Sequence, residues 1–265
     1  MPAIHPAQGR GVLIVPFPAP ICWYLFWGLL VSFLGLDCPP AKVYSIPMDD
    51  TAPPRPPDFD APFRARLEDL FRWRRDVRRF RAEAVEDALI DELIGLAALA
   101  PSVGNSQPWR FITVADAGRR DKVIADFEAR NADALADYDG QQAKLYASLK
   151  LAGLKEAPVH LAVFADTETT AGRGLGRKTM PEMLEYSVVG AVTTLWLAAR
   201  ARGLGMGWVS ILDPDKIAEI LEVETSWKLI AYLCIGYPQE QHLDPELDRA
   251  GWQKRADVST FVVRR

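Results

Sequence analysis

Apolar residues recur every three to four positions in two early segments, a spacing that matches one face of an α-helix. The first segment is Phe63–Arg75, and the second is Glu86–Ala100, which ends at Pro101. The same kind of pattern predicts two further helices over about 117–137 and 141–155. Helices are therefore predicted to dominate residues 63–155.

A long helix is predicted to begin near Thr179 and to end at about Arg202. Thr179 and Glu182 have the spacing of a capping box, in which each side chain bonds a backbone N–H of the first turn. Within this helix, Ser187–Ala199 is apolar or small on every side. Such a pattern is typical of a helix that is buried all round.

Four short runs rich in apolar and β-branched residues separate these helices, and each predicts a strand. They are Phe111–Val114, Val159–Ala165, Gly207–Leu212 and Leu229–Gly236. Helices before, between and after a few separated strands indicate an α+β layer fold.

The first 57 residues differ in composition from the rest, since they hold twelve of the twenty prolines. They include the uncharged run Gly11–Leu36, whose continuous part Ile21–Leu36 is sixteen residues long. A helix of that length spans about 24 Å, short of a hydrocarbon core of about 30 Å. We therefore predict a leader over 1–57, disordered or mis-assigned, and a folded domain over 58–265.

Three interpretations of this leader compete: a signal or anchor, a real extension, or translated upstream sequence. Only Arg10 could form a positive n-region, and no clear small-residue cleavage site precedes Asp37. We favour the third interpretation, with Met48 as the true start.

Charge and composition argue against several classes of protein function. Lysine and arginine number 31 against 35 aspartates and glutamates, a net charge of −4 that does not suit a general nucleic-acid coat. The three cysteines are far apart and exclude a disulfide framework. Three isolated histidines make a His-rich metal site improbable, and we expect His160, at the start of an apolar strand, to lie in the core. No G-x-S-x-G motif indicates a hydrolase.

The arginine segment, residues 72–81, carries six arginines around a single acid, Asp76. Three interpretations stay open for it. It could be a solvated helix end, where cations are favoured. It could be a basic patch for nucleic acid, although the rest of the chain is acidic. It could also clamp one phosphate and a polar ring, which the planar guanidinium fork suits.

The loop between Pro101 and Trp109 is a second candidate, because it follows a helix and precedes a strand. It combines the helix-stopping Pro101 with Gly104 and with several hydroxyl and amide side chains. Such a loop can bind a ligand, or it can be a plain helix-to-strand turn.

Two glycine-rich stretches invite nucleotide-binding interpretations that their spacing does not support. Gly203–Ser210 lacks G-x-G-x-x-G spacing and follows a helix rather than a strand. We expect its alternating small residues to let a flat ligand lie against the backbone, with Ser210 directed at it. Gly172–Thr179 lacks a Walker glycine at Arg177 and is interpreted as a mobile loop.

Two motifs together resemble the nitroreductase superfamily of flavin proteins: Arg74–Arg78 and, about twenty-five residues later, Ala100–Trp109. Most members read R-R-S-x-R at the first motif. Asp76 in place of that serine, together with Ser210, resembles one branch in which reduced flavin is itself consumed. The similarity covers roughly 63–256 and has no counterpart for 1–57.

This resemblance implies a homodimeric fold with helices around a central mixed β-sheet. It implies fragmentation of reduced FMN by O2, without a metal, to 5,6-dimethylbenzimidazole, the lower ligand of vitamin B12, and erythrose 4-phosphate. A separate flavin reductase would supply reduced FMN, and the site would be cytoplasmic, without nucleic acid or membrane partners. The flavin contacts that it implies are Arg74, Arg75, Asp76, Val77, Arg78, Ser102, Gly104, Gln107, Asn131, Ser148, Ser210 and Arg255.

The same resemblance implies distinct roles. Arg74, Arg78 and Arg255 would bind the phosphate and the N1–C2 edge of the ring, while Asn131 and Ser148 would belong to a covering lid. Asp76 would transfer a proton, which a serine at that position could not do as an acid or base. Ser210 would position the ring edge or a water molecule. The competing functions are an ordinary NAD(P)H-dependent nitroreductase-like enzyme and a non-catalytic flavin-binding protein.

Overall fold

The computed structural model describes residues 55–265, and its strands form one sheet in the order β1–β2–β4–β3. The strands are β1 (Trp109–Thr113), β2 (Val159–Asp166), β3 (Gly205–Val209) and β4 (Trp227–Gly236). All three strand pairs are antiparallel.

Helices surround this sheet. In the part of the chain that is described, they are α1 (Ala61–Trp73), α2 (Asp87–Ala97), α3 (Ala117–Ala136), α4 (Gly140–Ser148), α5 (Met183–Ala201), α6 (Pro214–Leu221) and α7 (Glu246–Arg249). Helices α3 and α4 are joined by a short turn, and we call them the α3–α4 hairpin. The α+β class is therefore confirmed.

The core has two layers because successive side chains of a strand point to opposite faces of the sheet. On β2, Leu161 and Val163 pack with α2 and α5 on one face. Ala162 and Phe164 pack with α3 and α6 on the other.

Most predicted elements are present, with differences at their ends. Helix α4 ends at Ser148 rather than near residue 155, because Leu149 already has extended backbone angles. The capping box proposed at Thr179 is wrong, since α5 begins at Met183 and Glu182 makes no side-chain cap. Helix α6 was not predicted, although Asp213 caps two of its N–H groups and Pro214 occupies its first turn.

The prediction that α5 is buried on every side is wrong for this single chain. Tyr186 is 54% exposed and Val189 is 38% exposed, and nothing lies within 4 Å of where a Cβ of Gly190 would be. These positions recur at helical spacing and form one apolar face that the chain's own core does not cover. The opposite face, which includes Val188 and Leu195, is fully buried.

The sheet differs from the mixed one that we expected, because the strands themselves pair only antiparallel. The parallel component is an isolated bridge between Asp76 and Met206, which joins the arginine segment to β3.

His160 lies in the core, as predicted. It is 1% exposed, its Nδ1 lies 3.0 Å from the Tyr232 hydroxyl, and burial lowers its pKa to about 4. Across residues 55–265, no helix is both long and apolar enough to cross a bilayer. The predictions about the run Gly11–Leu36 and Met48 fall outside the described residues.

Candidate active site

The arginine segment leaves α1 and runs beside β3 as a short extra strand. The backbone N–H of Val77 donates to the carbonyl of Met206 at 3.0 Å. A second isolated bridge, between Phe80 and Pro238, holds the far end of the segment. The side chains of residues 74–78 are thus fixed by backbone pairing rather than by a loop.

Two glycines on β3 make this close approach possible. A Cβ at Gly207 would lie 2.3 Å from the carbonyl oxygen of Val77, and one at Gly205 would lie 2.7 Å from a Val77 methyl. Any side chain there would push the segment away from the sheet. Our expectation that these small residues leave room for a flat ligand is wrong, because Val77 fills that space.

Asp76 is oriented by two donors. Its Oδ1 accepts a hydrogen bond from the backbone N–H of Trp208 at 3.0 Å, and its Oδ2 accepts one from Arg78 Nε at 2.8 Å. About a third of the Asp76 side chain, 32%, remains exposed. The carboxylate is therefore fixed in position and still accessible to a substrate.

Arg78 connects the arginine segment to the α3–α4 hairpin. Its side chain is 11% exposed, and its Nη1 donates to the carbonyl of Lys150 at 2.8 Å, just beyond the end of α4. With Nε bound to Asp76, the N–H groups of Nη2 are left for a ligand.

Arg74 differs from its neighbours because its guanidinium donates to no acceptor among residues 55–265. It is half-buried, with Cζ 4.8 Å from the centroid of the Trp196 ring. Burial lowers its pKa, the negative charge of Asp76 opposes this, and the positive charge of Arg255 adds to the lowering. A half-buried cation beside a second cation, with its donors unused, is suited to an anion.

Arg75 instead supports the fold. Its Nε donates to the carbonyl of Leu243 at 2.9 Å, and its other nitrogens donate to carbonyls of Arg72 and Arg74. Its pKa is lowered by burial and then by the charges of Arg74 and Arg255. These bonds leave Arg75 little to offer a ligand directly.

The Ser102–Gln107 loop has an unusual backbone. Asn105 and Gln107 have φ of 54° and 47°, in the left-handed region that non-glycine residues seldom adopt. The Ser102 hydroxyl accepts a hydrogen bond from the Gln107 N–H at 3.0 Å. The buried Ser106 hydroxyl has no hydrogen-bond partner in the described part of the chain. Strained backbone and an unpaired buried polar group are features that functional sites often retain.

The structure does not bring this loop to the arginine segment within one chain. The loop packs on the Gly172–Gly176 turn and on α5, where the Val103 N–H donates to the Ser187 hydroxyl at 3.0 Å. Across residues 55–265, no hydrogen bond or ion pair joins Ser102, Gly104 or Gln107 to the arginine segment. Among the described residues, these predicted flavin contacts are thus not joined directly to those on the arginine segment.

Ser210 follows β3 directly and is exposed, two residues beyond the N–H that binds Asp76. The turn after it is tied to the hairpin, because the fully buried Asp126 accepts a hydrogen bond from the Asp213 N–H at 2.8 Å. Helix α3 therefore helps to fix the position of Ser210.

Asn131 and Ser148 both lie on the α3–α4 hairpin. The Asn131 side chain accepts a hydrogen bond from the Tyr146 hydroxyl at 2.8 Å, which links the two helices. Ser148 is exposed and donates to the carbonyl of Leu145 within its own helix. The contact between Lys150 and Arg78 places this end of the hairpin beside the arginine segment.

Sequence reasoning missed an aromatic cluster on the same hairpin, formed by Tyr138, Tyr146 and Trp252. The two tyrosine rings stack at 4.9 Å, and the Trp252 ring meets them edge-on at 5.6 and 6.0 Å. The motif Gly251-Trp252 was the available signal, but a sequence does not show which helices a tryptophan will contact.

A cavity of about 40 Å³ lies along the arginine segment, and Asp76 and Arg78 line it together with Arg79 and Glu246. Arg79 bonds Glu246 at 2.7 Å, so charges in this cavity are already paired. A space of this size admits water molecules but not a flavin. The accessible face of Asp76 and Arg74 is the better candidate for a ligand.

Comparisons with known proteins identify the family of this chain. The description "Nitroreductase family" matches residues 71–237. A 5,6-dimethylbenzimidazole synthase of Rhodospirillum rubrum is 55% identical over 79% of this chain and 98% of its own. One from Rhodobacter capsulatus is 47% identical over 74% and 95%, respectively.

A solved structure extends the match to the fold. Iodotyrosine deiodinase, bound to FMN and 3-iodo-L-tyrosine, is 26% identical with a TM-score of 0.60 and covers 75% of this chain and 97% of its own. The chain therefore belongs to the nitroreductase family and, within it, to the branch of the 5,6-dimethylbenzimidazole synthases.

Proposed function

We propose that this protein converts reduced FMN and O2 into 5,6-dimethylbenzimidazole and erythrose 4-phosphate. The observation that carries the proposal is Asp76, an accessible carboxylate that is oriented by Trp208 and Arg78 at the position where most of the family has serine. Identity of 44–55% to three proteins named 5,6-dimethylbenzimidazole synthase supports it.

The residues present fit the phosphate of FMN. Arg74 offers a half-buried guanidinium that donates to no acceptor among the described residues, and the charge of Arg255 contributes to lowering the pKa of Arg74. Bidentate, charge-assisted bonds from arginine are the usual way to bind a phosphate group. Arg75 would contribute its charge but not its hydrogen bonds, which the backbone uses.

At the ring, Arg78 and Asp76 act as a pair. The flavin supplies the reactivity toward oxygen. Arg78 Nη2 would donate to the N1–C2 edge of the ring, while its Nε keeps Asp76 in place. Asp76 would take a proton from the ribityl carbon, or give one to a leaving nitrogen. A carboxylate fixed by two donors is well placed for such transfers, which contribute about 10²–10⁴-fold in rate.

The remaining proposed contacts enclose the site. Ser210 would orient the ring edge or a water molecule from its position after β3. Asn131 and Ser148 would cover the flavin as part of the α3–α4 hairpin and so exclude water. Val77, Ser102, Gly104 and Gln107 would line the ring and the ribityl chain.

The decisive experiment supplies reduced FMN in air and follows the products by chromatography. We expect 5,6-dimethylbenzimidazole in proportion to the flavin consumed. Tightly bound flavin with oxidation of NAD(P)H would instead identify a nitroreductase-like enzyme. Bound FMN without oxygen consumption would identify a flavin-binding protein. We also propose that a separate flavin reductase supplies the reduced flavin in the cytoplasm, so that the purified protein alone oxidises little NAD(P)H.

We further propose a homodimer with two flavin sites at its interface. The apolar face of α5 is open in one chain, and none of the thirteen residues of α1 is buried. Dimerisation would also explain why no described contact joins the Ser102–Gln107 loop to the arginine segment. In a symmetric dimer, the loop of one protomer would face the arginine segment of its partner.

Sedimentation at micromolar concentration tests this arrangement. We expect a dimer for the unmodified protein and a shift to monomer for Val189→Asp, which places a charge on the open face of α5. Flavin binding should weaken together with dimerisation. A monomer that binds FMN fully would contradict the proposal.

A further inference from the structure

The tail that carries Arg255 has few attachments to the rest of the domain. Helix α7 is fixed by the ion pair between Arg79 and Glu246, and Gly251 ends it with φ of 76°. The backbone N–H of Trp252 then donates to the carbonyl of Leu247 at 2.9 Å. From Lys254 to Arg265, the hydrogen bonds found in the described part of the chain stay within the tail.

Trp252 is therefore the last side chain before Arg255 that packs on another element. Its ring lies edge-on against Tyr138 and Tyr146, in the aromatic cluster on the α3–α4 hairpin. Three residues of chain span at most about 11 Å, so the position of Trp252 limits where Arg255 can be.

Arg255 needs such an anchor because its surroundings repel it. Its charge lowers the pKa of both Arg74 and Arg75, so the tail brings a third positive charge within electrostatic range of the other two. The exposed tail offers Arg255 no ion-pair partner among residues 55–265. Without a fixed Trp252, the tail would be free to move this third charge away from the other two.

The hairpin that anchors Trp252 also reaches the ring side of the proposed site. The Tyr146 hydroxyl binds Asn131, and the carbonyl of Lys150 accepts from Arg78. The same element thus contacts the arginine that orients Asp76 and the tryptophan that precedes Arg255.

We propose that Trp252 is a positioning residue for the phosphate of the flavin. By packing on Tyr138 and Tyr146, it places Arg255 opposite Arg74 and makes phosphate binding depend on the position of the α3–α4 hairpin. This inference rests on the proposed function, because it assumes that FMN is the ligand of Arg74.

Titration with FMN and with riboflavin, followed by flavin fluorescence, tests it, since the two differ only in the phosphate. We expect Trp252→Ala to weaken FMN binding by about tenfold, the loss of one charge-assisted contact, and riboflavin binding by less than about twofold. Arg255→Ala should weaken FMN binding by a similar factor and should also leave riboflavin binding almost unchanged. The double variant should bind FMN no more weakly than Arg255→Ala alone, because Trp252 acts through Arg255.

Matched variants separate this role from a merely structural one. Trp252→Phe and Tyr138→Phe keep an aromatic ring in the cluster and should retain most of the FMN affinity. Tyr138→Ala should reproduce the selective loss, and it serves in place of Trp252→Ala if that variant does not fold. Equal weakening of both flavins, or additive losses in the double variant, would overturn the inference.

Flavin binding by the unmodified protein distinguishes a failure of the proposed function from a failure of the role of Trp252. If it binds neither flavin, the proposed function fails and this inference fails with it. If it binds FMN and the ratio of the two affinities is unchanged in Trp252→Ala and Tyr138→Ala, only the role of Trp252 is refuted.

Discussion

The arginine segment and the Ser102–Gln107 loop carry the two groups of proposed flavin contacts, and they are supported in different ways. The segment pairs with β3 through its backbone, and Asp76 and Arg78 bond each other. The loop has left-handed Asn105 and Gln107 and an unpaired, buried Ser106 hydroxyl. Asp76 and Arg78 of the segment are thus paired with each other, whereas the Ser106 hydroxyl of the loop has no partner among residues 55–265.

Under the proposed function, this difference bears on which substitutions would change the reaction and which would change flavin binding. Proton transfer needs a group whose position does not vary, and the segment provides one at Asp76. The loop holds one buried hydroxyl, that of Ser106, without a partner among the described residues. We therefore expect substitution of Asp76 to affect the reaction most, substitution of Arg74 to weaken flavin binding, and substitutions in the loop to change binding and stability.

The largest effect is expected for Asp76→Asn. The amide keeps the shape of the side chain and can still accept from Trp208, but it cannot act as an acid or base. We expect product formation to fall by about 10² or more, with FMN binding within about tenfold of the unmodified protein. The measurement is product yield from reduced FMN in air. Substantial 5,6-dimethylbenzimidazole formation by this variant would remove the catalytic role of Asp76.

The second-largest effect distinguishes the roles of the adjacent residues Arg74 and Arg75. Arg74→Ala removes the guanidinium whose donors are unused, so FMN affinity should fall by about tenfold or more at little cost in stability. Arg75→Ala leaves the carbonyl of Leu243 without its donor, so it should lower the melting temperature more than Arg74→Ala does. Fluorescence titration and thermal unfolding measure the two outcomes. The comparison fails if Arg75→Ala weakens FMN binding as much as Arg74→Ala while leaving the melting temperature unchanged.

A smaller effect is expected in the loop, at Gln107. Gln107→Gly and Gln107→Ala both remove the side-chain amide, and both should weaken flavin binding. Only glycine adopts the φ of 47° without strain, so the glycine variant should be more stable than the alanine variant by about 1 kcal/mol. Denaturant unfolding measures this difference. Equal stability of the two variants would show that the left-handed backbone is not strained.

The smallest effect concerns the leader. Both regions lie within 58–265, so deletion of residues 1–47 should leave solubility, flavin binding and product yield unchanged. Mass spectrometry of the natural protein tests the related prediction that the chain starts at Met48. A peptide from residues 1–47, or fractionation with the membrane, would refute it.

Local patterns predicted the four strands, most of the helices and the α+β class, because helix and strand periods are properties of short segments. The same patterns could have predicted α6 from Asp213 and Pro214, a cap followed by a first-turn proline. They could not show the use of Gly205 and Gly207, since only the fold brings Val77 against them.

The candidate site was less predictable from sequence, because its residues act through distant partners. Arg74 and Arg75 look alike in sequence, yet one has unused donors and the other binds the carbonyl of Leu243, 168 positions away. The aromatic cluster joins Trp252 to Tyr138 and Tyr146, which lie more than 100 positions earlier in the chain. Neither arrangement has a local signature.

The hydrogen bond from Trp208 to Asp76 comes from the main chain, and this has an evolutionary consequence. No substitution at position 208 that preserves β3, proline apart, can delete that donor. A backbone N–H serves a serine hydroxyl as well as a carboxylate. A serine at position 76, as the motif of most members reads, could therefore use the same donor as the aspartate, and exchanging the two residues would need no new partner for this hydrogen bond.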